Sequence, residues 1–122
     1  MATILVVDDD ARNLRLATEV LALGGHQAWA ASSGLQALEL ALAQPPELIL
    51  LDVQMPGMDG IETLKRLRAQ PATAGLKVFA LTALAMKGDR ERLLAEGFDG
   101  YLEKPLRYKQ LLESIARALA KP

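Results

Sequence analysis

The chain contains no cysteine and a single histidine among its 122 residues. Disulfides, thiolate metal sites and cysteine nucleophiles are thereby excluded, as are metal sites built from several imidazoles. No apolar run approaches the ~20 residues that a membrane-spanning helix needs. The opening residues, Met1-Ala2-Thr3 with acids close behind, do not form a signal peptide, which makes the cytoplasm the default location. Net charge is also scarce. Fourteen Lys and Arg against fifteen Asp and Glu leave a formal −1, which argues against bulk electrostatic binding to nucleic acid or to an anionic membrane. What is present is the balance of an ordinary globule: 51% hydrophobic and 24% charged residues. That supplies one core and one domain, expected over residues 1–122.

The strongest pattern is a set of short apolar runs, each closed by a polar residue. Ile4-Leu5-Val6-Val7 stops at Asp8, Leu48-Ile49-Leu50-Leu51 at Asp52, and Val78-Phe79-Ala80-Leu81 at Thr82. Runs without alternation suit strands covered on both faces, as in a parallel sheet. Two weaker runs, Gln27–Ala31 and Tyr101-Leu102, complete a set of five. Helical patterns lie between them. Asp10 is placed to cap a helix reaching about Leu23, which Gly24-Gly25 would stop. Ser33 and Asp59 each stand three residues before Gln36 and Glu62, the spacing of a capping box. Asp89 starts a short helix ending at Gly97, and a last helix of about Leu106 to Ala120 carries Leu111, Leu112, Ile115, Ala116 and Leu119 as its apolar stripe.

Strand and helix therefore alternate five times, which predicts an α/β fold with a parallel sheet, helices on both faces and right-handed crossovers. Ligands of such sheets bind beyond the carboxyl ends of the strands. The residues at three of those ends are Asp8, Asp52 and Thr82. Asp8-Asp9-Asp10 next to Asp52 would crowd carboxylates together, and two of them 4 Å apart repel by about 4 kcal/mol at an effective dielectric near 20. A hard divalent cation with few protein ligands, Mg²⁺ before Ca²⁺, fits that need. Lys104, after the fifth run, brings a further positive charge to the same edge.

Four segments in this order and spacing resemble the receiver domain of two-component response regulators: Val6-Val7-Asp8-Asp9, Leu51-Asp52-Val53-Gln54-Met55-Pro56-Gly57-Met58-Asp59-Gly60, Ala80-Leu81-Thr82-Ala83 and Gly100-Tyr101-Leu102-Glu103-Lys104-Pro105. The resemblance implies a doubly wound, flavodoxin-like sheet of five parallel strands in the order 2-1-3-4-5. It implies Asp52 as phosphoacceptor from a sensor histidine kinase or histidine phosphotransfer protein. It implies Mg²⁺ held by Asp8, Asp9, Asp52 and the backbone carbonyl of Gln54, with Lys104 and Thr82 on phosphoryl oxygens. Pro56, Gly57, Ala83 and Pro105 would shape the loops, and the Lys104-Pro105 peptide would be cis. Thr82 and Tyr101 would form a switch read out on the face of the fourth helix, fifth strand and fifth helix, near Ala85-Met86-Lys87 and Arg107-Tyr108. Such a domain catalyses its own phosphorylation and is no conventional turnover enzyme. It acts by contact with a downstream protein, either alone or as part of a longer chain.

Other readings fit less well. A haloacid-dehalogenase-type phosphatase also uses a strand-end Asp, a Thr, a Lys and Mg²⁺, but carries a second Asp where this chain has Gln54. An FMN site needs phosphate donors where this first loop is acidic, and no P-loop segment is present. A phosphorylation-independent receiver-like module would not need Asp8, Asp9, Asp52, Thr82 and Lys104 all intact. His26 is expected in an exposed turn, Met55 and Met58 in packing, and Trp29 as partial cover on an edge strand.

Overall fold

A computed structural model describes residues 2–83, 88–104 and 106–120. Five strands, β1 (Thr3–Val7), β2 (Gln27–Ala31), β3 (Leu48–Asp52), β4 (Lys77–Thr82) and β5 (Gly100–Glu103), alternate with five helices. These are α1 (Ala11–Leu23), α2 (Gly34–Ala43), α3 (Gly60–Ala69), α4 (Asp89–Glu96) and α5 (Tyr108–Ala120). The strands form one parallel sheet in the order β2-β1-β3-β4-β5. β1 and β3 are central and buried along nearly their whole length, which is why their sequences read as unbroken apolar runs.

Alternate residues of each strand feed two cores. Leu5, Val7, Ile49 and Leu51 pack with Ala37, Leu64, Leu67 and Leu93 from α2, α3 and α4. Ile4, Val6, Leu48 and Leu50 pack with Ala17, Leu21, Leu111 and Ile115 from α1 and α5. A one-residue slip of either central strand would exchange its two faces, so two-sided burial fixes the register that gathers the strand ends.

The helix starts follow the sequence with local differences. Asp10 accepts from the N–H groups of Arg12 and Asn13, Ser33 from Gln36, and Asp59 from Glu62. The reciprocal half of the two capping boxes goes elsewhere. Gln36 Oε1 takes the Ser32 N–H at 2.8 Å, and Glu62 pairs with Arg66, a full turn on, at 3.0 Å. α4 starts at Asp89 and is ended by Gly97, as expected, with Gly88 at the cap position in the left-handed region at φ 97°. α5 begins at Tyr108, two residues later than expected, because its first helical hydrogen bond runs from the Leu111 N–H to the Arg107 carbonyl. Its buried stripe is Leu111, Ile115 and Ala118; Leu112 and Leu119 flank it, and Ala116 faces solvent. His26 is half-buried, not exposed, and its Nδ1 finds no hydrogen-bond partner among the described residues.

Gly60 fixes the position of the loop that follows Asp52. A Cβ at this site would lie 2.3 Å from the Asp52 carbonyl oxygen and 2.7 Å from Val53 Cα. Both are backbone atoms that cannot rotate away. The Gly60 N–H in turn donates to the Val53 carbonyl at 3.0 Å. Gly60→Ala is therefore expected to lower stability in urea denaturation by about 1–3 kcal/mol, the usual range for overpacking, and to shift the backbone NMR signals of Asp52 and Val53.

Candidate phosphoacceptor site

The carboxyl ends of β1 and β3 deliver Asp8 and Asp52 side by side at one edge of the sheet, both buried at 2% and 4% exposure. Each carboxylate is held twice. Asp8 Oδ1 accepts from the Asp10 N–H at 2.9 Å and Asp52 Oδ1 from the Gln54 N–H at 3.1 Å. The second oxygen of each points to the same ammonium: Lys104 Nζ lies 2.9 Å from Asp8 Oδ2 and 3.1 Å from Asp52 Oδ2. Lys104 reaches this position because its own N–H donates to the Thr82 carbonyl at 2.8 Å, which ties the residue after β5 to the end of β4. The Val53 N–H donates to the Leu81 carbonyl at 3.0 Å and ties the loop after β3 to the same strand.

Burial is the largest influence on Asp52 and pushes its carboxyl up to about 6 from an ordinary 3.8; the nearby Asp8 charge adds to the rise, while Lys104 and the Gln54 N–H oppose it. For Lys104 burial works the other way and would lower its pKa, but the hydrogen bonds to Asp8 and Asp52 outweigh it and the ammonium titrates above its usual value.

Asp9 is exposed at the mouth, and oxygens of Asp8, Asp9 and Asp52 all lie within 4.8 Å of one another. Three ionised carboxylates and one ammonium leave a local charge of −2. An all-oxygen donor set with that deficit fits a hard divalent cation of the Mg²⁺ type, completed by water. Gln54 lies beside it with an exposed side chain.

Thr82 closes β4 at 1% exposure, and Ala83 after it is exposed. Pro56 and Gly57 lie on the surface of the loop after β3, where Gly57 adopts φ 73° and thus needs the freedom of glycine. Met55 is buried and Met58 packs near Gly34, as expected for packing residues, and Trp29 is half-buried against the core. Tyr101 is half-buried on β5. Pro105, and with it the peptide bond expected to be cis, lies outside the described residues, as do Ala85, Met86 and Lys87. Two features escaped the sequence reading: Lys104 binds Asp8 as closely as it binds Asp52, and Arg90 of α4 lies over the Tyr101 ring. The strand-end spacing of Asp8 and Lys104 carried the signal for the first.

A doubly wound sheet with an acidic pair and a shared lysine at its carboxyl edge defines a receiver-type signalling domain. The family model for the response regulator receiver domain matches residues 4–116, and the chain belongs to that family. It is 35% identical over 113 residues to the polar-differentiation response regulator DivK of Brucella ovis, across 93% of this chain and 92% of that one. Among solved structures, the chemotaxis protein CheY4 of Vibrio cholerae superposes with a TM-score of 0.91 at 30% identity, covering 98% of this chain and 99% of the other. The receiver domain of the sensor histidine kinase PA1611 of Pseudomonas aeruginosa, solved with a magnesium ion in its active-site cleft, gives 0.90 at 32% identity over 98% of both chains. Nothing among these relatives supports the phosphatase reading.

The raised Asp52 carboxyl has a consequence for stability in metal-free buffer. The folded chain binds a proton at Asp52 below about pH 6, whereas the unfolded chain releases it until near the ordinary 3.8. Folded stability therefore falls as pH rises from about 4 to 6. Asp52→Asn lacks that loss. In EDTA at pH 7 it is expected to be more stable than the parent by about 1–3 kcal/mol, with the gap closing toward pH 4. Urea denaturation at both pH values measures it.

Proposed function

We propose that the chain, as one receiver unit over residues 1–122, accepts a phosphoryl group on Asp52 from a sensor histidine kinase or a histidine phosphotransfer protein. The observation that carries this reading is the single Lys104 ammonium held between two buried carboxylates. Asp52 Oδ2 is the atom Lys104 contacts, so the lysine sits where an incoming phosphoryl oxygen would arrive. In the transfer, a carboxylate oxygen of Asp52 attacks phosphorus in line. A P–O bond forms as the P–N bond of the donor phosphohistidine breaks, and the electron pair stays on the leaving imidazole. Lys104 moves from the carboxylate to a phosphoryl oxygen as a compact charge, the Thr82 hydroxyl donates to another, and Ala83 leaves room for the group.

Asp8, Asp9, Asp52 and the Gln54 carbonyl would hold Mg²⁺, which supplies charge stabilisation to the transferring group. Hydrolysis of the acyl phosphate resets the site, so the chain is a signalling protein that turns over its own phosphate rather than a conventional enzyme. No described helix is long and apolar enough to cross a membrane. We place the protein in the cytoplasm, acting on a downstream protein rather than on nucleic acid or lipid. A phosphorylation-independent module is the weaker reading, since it gives no role to a lysine shared by two buried aspartates.

Acetyl phosphate with Mg²⁺ is expected to label Asp52 alone, as read by intact mass and peptide mapping. EDTA and Asp52→Ala should each abolish the label; incorporation that survives Asp52→Ala rejects the assignment.

The signal then travels through Thr82 and Tyr101. Phosphorylation adds about −1.5 to −2 charges and oxygens that need donors. Thr82 turning toward them vacates space into which the Tyr101 ring can move, and the face of α4, β5 and α5, with Arg107 and Tyr108, reads the result. Beryllofluoride with Mg²⁺ should shift the NMR signals of Thr82, Tyr101 and α4 as well as the Asp52 loop. Shifts confined to that loop would reject the switch.

A further inference from the structure

Tyr101 packs the inner side of its ring on the core shared with α2, α3 and α4. Over the ring stands Arg90, whose guanidinium carbon lies 5.9 Å from the ring centroid, within reach of a cation–π contact. Arg90 is exposed and makes no ion pair among the described residues. Asp89, beside it on the helix, lies 3.4 Å from Arg92. Arg90 stands in the first turn of α4, which has fewer buried side chains than any other described helix. α4 buries Leu93 alone, its Gly88 cap offers no side-chain hydrogen bond, and Gly97 ends it after eight residues. With Leu93 the single buried side chain of α4, the contact to the Tyr101 ring is a further tie between its first turn and β5.

We propose that Arg90 is a positioning residue for the switch: its guanidinium holds the Tyr101 ring in the half-buried seat and opposes the inward movement that phosphorylation favours. This rests on the reading of Tyr101 as the moving aromatic. A partner meets the consequence at the surface. Arg90, Tyr101, Leu102 and Arg107 line an open groove of about 710 Å³ at α4, β5 and α5. When the ring withdraws, the groove loses part of its floor and Arg90 loses its contact, so the same event changes the shape of the surface and frees a guanidinium on it. A downstream protein can therefore distinguish the two states by an acidic side chain that pairs with the freed Arg90.

A contact of this kind at an exposed site biases a two-state balance about two- to fivefold. The chain has two tyrosines, so incorporation of 3-fluorotyrosine gives two ¹⁹F lines, and the one lost in Tyr101→Leu reports the switch. In the parent protein, beryllofluoride with Mg²⁺ should move that line. Arg90→Ala, and Arg90→Met, which keeps the stem without the charge, should raise the inward population of the metal-free protein two- to fivefold. By linkage, both should tighten beryllofluoride binding by the same factor. Arg90→Lys should retain most of the parent behaviour. In a Tyr101→Leu background Arg90→Ala should leave beryllofluoride affinity unchanged, since no ring remains to hold. If the line moves in the parent but Arg90→Ala and Arg90→Met change neither population nor affinity, Arg90 is no latch and the switch stands without it. If the line does not move in the parent, the switch itself is absent and the latch falls with it.

Discussion

One ammonium shared between two buried carboxylates is the constraint around which the rest of this molecule is arranged. Asp8 and Asp52 sit at 2% and 4% exposure, and Lys104 lies about equally close to both. Neither carboxylate is tolerable there alone, because an uncompensated buried charge typically costs about 3–5 kcal/mol. The pairing demands that β1, β3 and the residue after β5 end at the same level, which only a parallel sheet with fixed register provides. Compensation is also incomplete. Burial and Asp8 still prevail over Lys104 and raise the Asp52 carboxyl to about 6. The site is thus short of positive charge by construction, and a bound cation would relieve it.

The sequence revealed the central strands because burial on both faces leaves no alternation to misread. Leu48–Leu51 and Ile4–Val7 are unbroken and end on the two aspartates that matter. The edge strand β2 was visible only as a weak run, since four of its five residues face solvent or the margin of the core. Helix ends were less legible. Leu106 fits the apolar period of α5 but precedes the Arg107 carbonyl that receives the first helical bond, and alanines at 116 and 118 look alike until the stripe is placed in space. The site residues were legible as strand-end positions. Their mutual geometry was not, because whether Lys104 reaches one carboxylate or two depends on the bond between its backbone N–H and the Thr82 carbonyl.

Burial is distributed unevenly across the fold. β1 and β3 are enclosed by both cores, whereas α4 is held by Leu93 and by a ring contact at its first turn. An element with little buried area can change position at a free-energy cost that a local charge change can meet, while the sheet beneath holds the reacting groups in place. Arg68 marks the limit of the soft region. It donates to the carbonyls of Ala74 and Gly97 and to the Asp99 carboxylate, which itself accepts from the Val78 N–H. That cluster pins the start of β4 to the entry of β5 at the end of the sheet away from Asp52. Any movement of α4 and the Thr82 end would thereby be separated from the opposite edge.

This arrangement gives a short path from charge to surface. Lys104 bonds the Asp52 carboxylate with its ammonium and the Thr82 carbonyl with its backbone. Tyr101 stands three residues earlier on β5, paired in register with Ala80, two residues before Thr82 on β4. Any move of the ammonium onto a phosphoryl oxygen acts on a residue fastened to both strands. Ala80, buried in the core against which Tyr101 packs, presents only a methyl group beside it. A bias of a few fold at the ring is modest beside the charge-assisted bonds that a phosphoryl group would make with Lys104 and Thr82 in the proposed phosphorylated state. In the proposed switch, the phosphoryl group would therefore dominate the balance, and the contacts around Tyr101 would set how much of the signalling state exists before it arrives.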